Sequence, residues 1–203
     1  SGVSLNRRKG NHIITTAYEH AAVLEPCRQL ERQGYEVTYL TPDKEGNISV
    51  ADLTAALRPD TILVSMMLVN NELGSVLPVA EAVKAVRRSG APALFHCDAV
   101  QGFLKVPFTP AKIHAPKGIG GLYVRKGLRL PPFVLGGGQE GGMRSGTEAT
   151  GQLAAFAAAA KLGRATLDRD LAHMAELKDY AIERLTGAVP GVVRVGSGTA
   201  PHV

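Results

Sequence analysis

Cysteine is scarce in this chain of 203 residues: only Cys27 and Cys97 occur, far apart and without C-x-x-C spacing. That usage fits a reduced, cytoplasmic setting rather than a disulfide scaffold. Long apolar runs are also missing, since stretches such as Leu153 to Ala160 are alanine-rich and fall well short of the roughly 20 residues that cross a bilayer. No membrane span is expected, and the start carries no secretory apolar core. No G-x-S-x-G elbow or P-loop is present, and the glycine-dense Gly136-Gly137-Gly138 does not sit at the strand–helix junction that dinucleotide binding requires. A serine hydrolase and a nucleotide-binding fold are therefore disfavoured. Charge of one sign is not concentrated either. Twenty-three Lys and Arg against 18 Asp and Glu give a net +5, which suits a small anionic ligand, and Arg7-Arg8-Lys9 lacks the interleaved aromatics of a nucleic-acid patch.

What is present is an alternation of apolar, β-branched stretches with helical periodicity. Ile13 to Thr16, Glu36 to Leu40, Thr61 to Leu68 and Ala93 to Cys97 read as strands, the first, third and fourth buried. Between them, Ala21 to Arg32 reads as a helix closed by Gly34. Ser49 with Asp52 opens a second helix that ends near Pro59, and Pro78 opens a third that ends at Ser89-Gly90. The pattern predicts a three-layer α/β/α domain with a mostly parallel sheet. Gly121 to Val124 is expected to add a strand. Gln152 to Leu185 is expected to be helical, with a break near Gly163 and an apolar stripe of Leu167, Leu171, Met174, Leu177, Ala181 and Leu185 that packs into a core. Val192 to Val195 reads as the first strand of a C-terminal domain. The expected organisation is an incomplete large domain over 1–150, then a helical connection and the start of a truncated C-terminal domain over 151–203. Both ends of the chain look cut.

In parallel α/β sheets the loops at the strands' carboxyl ends gather ligands. Here they offer His20 after the first strand, Asn70-Asn71-Glu72 after the third, and Asp98 with Gln101 after the fourth. Singly, each has a plain structural use: a turn for Asn71, a cap for Asp98, a helix N-terminus for His20. Jointly they point to one rim. A metal site built on His96, Asp98 and His114 lacks supporting ligands at recognisable spacing.

Six strings, taken in order, carry a resemblance. Asn11 to Thr16 with Glu19-His20, Val69 to Gly74, His96 to Gln101, Pro116 to Gly120, Gly136 to Glu140 and Met143 to Glu148 resemble cysteine desulfurases of the NifS/IscS type, which are class V, fold type I pyridoxal phosphate enzymes. The resemblance implies pyridoxal 5'-phosphate as cofactor, L-cysteine as substrate, and alanine with an enzyme persulfide as products. It further implies a homodimer that hands sulfur to an acceptor or scaffold protein, with no nucleic acid and no membrane involved. By the same resemblance Asp98 pairs with the protonated pyridine nitrogen, and Gln101 and Asn71 attend the phenolic oxygen. His20 lies on the ring face and moves protons, while Thr147 reaches the phosphate bound by a neighbouring subunit. A selenocysteine lyase, a small-molecule aminotransferase or a non-catalytic dimer scaffold are the alternatives.

The sequence departs from this family near its lysine. Lys112 stands directly before Ile113-His114-Ala115-Pro116-Lys117-Gly118, where the lysine that bonds the cofactor is expected, but it follows Pro110-Ala111 rather than histidine. It stands only 14 positions after Asp98, too few for the expected further strand and its loops. Lys112 is either the catalytic lysine with its preceding segment lost or a loop lysine brought against Ile113. The phosphate-binding turn expected near Ser1-Gly2 is mostly missing. The sulfur-accepting cysteine is expected beyond Val203, because Cys27 and Cys97 occupy a helix and a strand where a thiol behaves as a small apolar group.

Overall fold

A computed structural model describes residues 2–102, 113 and 115–196. In chain order the elements are α1 (Gly2–Asn6), β1 (His12–Thr16), α2 (Ala21–Arg32), β2 (Glu36–Leu40), α3 (Val50–Ala56), β3 (Thr61–Ser65), α4 (Val79–Ser89), β4 (Leu94–His96) and α5 (Thr150–Ala188). The four strands form one sheet in the order β2-β1-β3-β4, and every pairing is parallel. Parallel neighbours need crossovers, and α2, α3 and α4 supply them.

The helices α1 to α4 each turn an apolar side to the sheet. Ser49 accepts at its Oγ from the backbone N–H groups of Ala51 and Asp52, which fixes the first turn of α3. That helix stops at Ala56, short of Pro59, because the residue before a proline is pushed out of helical geometry and Leu57 and Arg58 already lead into β3. Gly90 closes α4 in the left-handed region at φ 73°. Alternate residues of β1 face opposite layers. Ile13 packs with Ile62, Val3 of α1 and Leu30 of α2, whereas Ile14 packs with Val64, Leu53 of α3, and Ala82 and Val86 of α4. These two clusters are the core of a three-layer α/β/α unit, as the sequence pattern predicted.

From β1 the chain moves outward to β2 over one layer, then returns to the other side of β1 for β3 and β4 over the opposite layer. The direction of winding reverses between β1 and β3. At such a switch the loops diverge and leave a crevice outside the carboxyl ends of the two strands.

Five expectations need correction. β4 is half-exposed rather than buried, because within the described sheet it has β3 on one side only. Gly121 to Val124 and Val192 to Val195 form no strand; with no described neighbour to complete a ladder they stay irregular, and Leu122 is 69% exposed. α5 runs unbroken through Gly163, since its alanine-rich flanks tolerate one glycine. Its stripe is not core: no residue of α5 is buried, and Met174, Leu177 and Leu185 are exposed.

Candidate active site

The crevice at the switch point is lined from three directions. After β1 the chain turns through Ala17, Tyr18 and Glu19 to His20, the N-cap of α2. His20 Nδ1 accepts from the Ala22 N–H at 3.1 Å, so the neutral ring carries its hydrogen on Nε2, the atom left for a ligand. The plain use foreseen for His20, a polar group at a helix start, is therefore real, and it engages only one of the two ring nitrogens.

After β3 the backbone stays extended, with Met66 N–H donating to His96 O at 3.1 Å and Leu68 N–H to Asp98 O at 2.8 Å. The turn that follows is built by Asn70 and not by Asn71. Asn70 is buried; its Oδ1 accepts from the N–H groups of Glu72 and Leu73, its carbonyl from Gly74, and its Nδ2 donates to Tyr18 O at 3.1 Å. Because Asn70 does this work, the half-buried Asn71 amide makes no hydrogen bond among the described residues. After β4, Asp98 Oδ1 accepts from Val100 N–H at 2.9 Å, an Asx turn that fixes the carboxylate and leaves Oδ2 for a further donor. Gln101 follows in the same turn, half-buried.

Glu19, which the sequence showed only as part of a string, closes the floor. Its Oε1 accepts from Met67 N–H at 2.6 Å and from Thr16 Oγ1–H at 3.0 Å, tying the end of β1 to the chain leaving β3. Burial is the main cause that pushes its carboxyl up to about 7, with the Asp98 charge adding to it. No signal near Glu19 in the sequence gives this role, since its partner Met67 lies 48 positions away.

His20, Asn71, Asp98 and Gln101 thus share the carboxyl rim of the sheet. Thr147 does not join them by any hydrogen bond among the described residues; it is exposed on the segment before α5. Lys112 and His114 lie outside the described residues. Among the described residues no cluster of His, Cys, Asp and Glu could hold a metal ion. Both thiols are kept protonated by burial, Cys27 pushed up to about 11 and Cys97 to about 12. Cys97 lies just past β4 and is half-buried, not inside the strand.

The rim fits pyridoxal phosphate by its donor set. Among the described residues it presents a turn-fixed carboxylate with one oxygen left over, two amide side chains without hydrogen-bond partners, and an imidazole with a defined N–H.

The sequence matches the family described as Aminotransferase class-V over residues 2–202. It is 43% identical over 201 residues to "Cysteine desulfurase 2" of Trichormus variabilis, covering 93% of this chain and 50% of that protein. It is 44% identical over 185 residues to "Cysteine desulfurase IscS" of Glaesserella parasuis, covering 84% and 45%. Among solved structures, DndA from Streptomyces lividans superposes with a TM-score of 0.88 at 37% identity, covering 99% of this chain and 61% of that one. SspA in complex with cysteine gives 0.73 at 37% identity, covering 79% and 50%. The chain spans about half the length of the curated relatives it matches.

Proposed function

The chain belongs to the class-V aminotransferase family, and from that premise we propose that its rim serves a cysteine desulfurase, binding pyridoxal 5'-phosphate and taking sulfur from L-cysteine to leave alanine and a persulfide. The observation that carries this reading is the convergence, at the switch point, of four polar side chains whose capacity the fold leaves partly unused. When bound, the cofactor supplies an electron sink for the carbanion formed at the substrate α-carbon.

The protein's share follows from geometry. Asp98 Oδ2 would accept from the protonated ring nitrogen and keep the ring cationic, and the Asx turn stops the carboxylate from swinging away. Gln101 and Asn71 would donate to the ring oxygen. His20 would lie beside the ring; for it to give up its Nε2 proton, Nδ1 would have to exchange the Ala22 N–H for a proton of its own. Lys112 is the candidate for the covalent attachment. In this reading 1–150 carries the cofactor side of the site and 151–203 leads toward a C-terminal domain. Thr147 serves a neighbouring subunit, which makes the assembly a homodimer. Cys27 and Cys97 are not the sulfur acceptor, and a second, sulfur-accepting protein receives the persulfide sulfur, in keeping with iron–sulfur cluster assembly in the cytoplasm.

Adding pyridoxal phosphate to the purified chain is expected to give a visible absorption band that borohydride abolishes. Asp98→Ala is expected to keep a bound cofactor yet lose α-hydrogen exchange of cysteine or alanine in deuterated water by about 100-fold or more. A colourless chain with no reducible adduct overturns the reading, and unchanged exchange in a coloured Asp98→Ala variant overturns the role of Asp98.

A further inference from the structure

An acid buried without a cation needs a reason. Glu19 is 4% exposed, its Oε1 accepts two hydrogen bonds, and its Oε2 is shut away from solvent with no partner among the described residues. A carboxylate in that position would carry a buried charge with one oxygen uncompensated, whereas the acid form carries no charge and leaves only an Oε2–H without an acceptor among the described residues, the smaller of the two costs. The titratable groups that act on it or feel it are the Asp98 carboxylate beyond β4, the Cys97 thiol beside Asp98, the Cys27 thiol on α2 and the Tyr18 hydroxyl on the turn after β1. None of these is a cation.

The connections made by the carboxyl run through the whole rim. Glu19 immediately precedes His20, and its Oε1 holds the N–H of Met67. The next residue, Leu68, donates its N–H to the carbonyl of Asp98, and two residues further on Asn70 returns a bond to Tyr18 O. The segments bearing His20, Asn71 and Asp98 are thus cross-tied at adjacent rungs, and Glu19 supplies the first rung. We propose that Glu19 is a positioning residue that works as the uncharged acid, fastening the His20, Asn71 and Asp98 segments in register through Oε1. The proposal rests on the reading of this rim as a pyridoxal phosphate site and assigns to it a residue that touches neither cofactor nor substrate.

Glu19→Gln keeps the Oε1 acceptor and the neutral state, and Glu19→Ala removes both. Two readouts on the 203-residue chain separate the possibilities: hydrogen exchange at the Met67 and Leu68 amides without cofactor, and pyridoxal phosphate affinity by visible absorbance from pH 6 to 8.5. The wild type is expected to weaken in affinity by about tenfold across that range, as Glu19 ionises. Glu19→Gln is expected to hold its pH 6 affinity within about threefold throughout, with Met67 protected as in the wild type. Glu19→Ala is expected to lose about tenfold in affinity and the Met67 protection together. Glu19→Gln behaving like Glu19→Ala, a pH profile shared by wild type and Glu19→Gln, or Glu19→Ala matching the wild type would each overturn the proposal. If the wild type itself binds no pyridoxal phosphate, the cofactor reading fails, and Met67 exchange in the two variants still decides whether a neutral Glu19 holds the strands together.

Discussion

At the scale of single residues, buried titratable groups at opposite ends of the sheet respond to pH in opposite senses. His12 is fully buried at the start of β1, where Nδ1 meets Thr61 Oγ1 at 2.8 Å and Nε2 meets Thr38 Oγ1 at 2.9 Å. Burial first, then the Arg58 guanidinium, lowers its pKa, with Asp60 and Glu36 acting the other way. The unfolded chain therefore binds the proton more readily, so the stability contributed by neutral His12 is present above pH 6.5 and is lost as pH falls toward the depressed native value. Glu19 has a native pKa raised to about 7, so its contribution is present below its unfolded value and is lost as pH rises through about 7. That contribution is on the order of 3 kcal/mol at most. Urea titrations of Glu19→Gln from pH 5 to 8 are expected to show the wild-type fall with rising pH removed; a fall that persists in the variant contradicts the assignment. A third residue is purely steric. A methyl group on Gly10 would stand 2.0 Å from the backbone oxygen of Asp60, so Gly10→Ala must move the chain entering β1. Its denaturation midpoint should correspond to a loss of roughly 2–4 kcal/mol.

At the scale of elements, α2 and the site share one side chain. His20→Asn keeps a capping acceptor and His20→Ala does not, so only the alanine variant should lose about 1 kcal/mol of stability by thermal unfolding, while both lose proton transfer at the rim. Equal stability in the two variants would show that the bond to Ala22 is not a working cap. What the sequence displayed about these elements follows the range of the interactions that make them. β1 to α4 were legible because buried strands and amphipathic helices write their environment into short windows, and Ser49 and Gly90 mark helix ends locally. His20, Asn71, Asp98 and Gln101 could be placed on the carboxyl rim from sequence because each lies a few residues past the end of a strand. Glu19 and the division of labour between Asn70 and Asn71 were not, since both depend on contacts across the sheet that no window contains. The stripe on α5 had the right period for a helix, but periodicity reports which residues share a face and not whether anything covers it.

At the scale of the whole molecule, the described chain is two regions of unlike packing. The sheet with α2, α3 and α4 encloses both buried clusters, whereas α5 contributes nothing fully buried and the segment before it exposes Phe133 at 84% and Leu135 at 82%. A helix without tertiary packing is held mainly by its own ladder and frays far more readily than a core strand. Hydrogen exchange on the isolated chain should therefore protect Ile13, Ile14 and Val64 amides at least about 100-fold more than those of Met174 to Leu185. Equal protection would mean that α5 is covered in solution.

The strand order also bears on how the sheet can be put together as the chain is synthesised. Of the four described strands β1 is made first and lies between the next two, β2 adds to one of its edges, β3 to the other, and β4 to the free edge of β3. Each arriving strand finds an open margin, and none has to be inserted between two strands already joined. A nascent chain ending just after β3 can therefore already hold its central pair of ladders while α4 and everything beyond is still to be made.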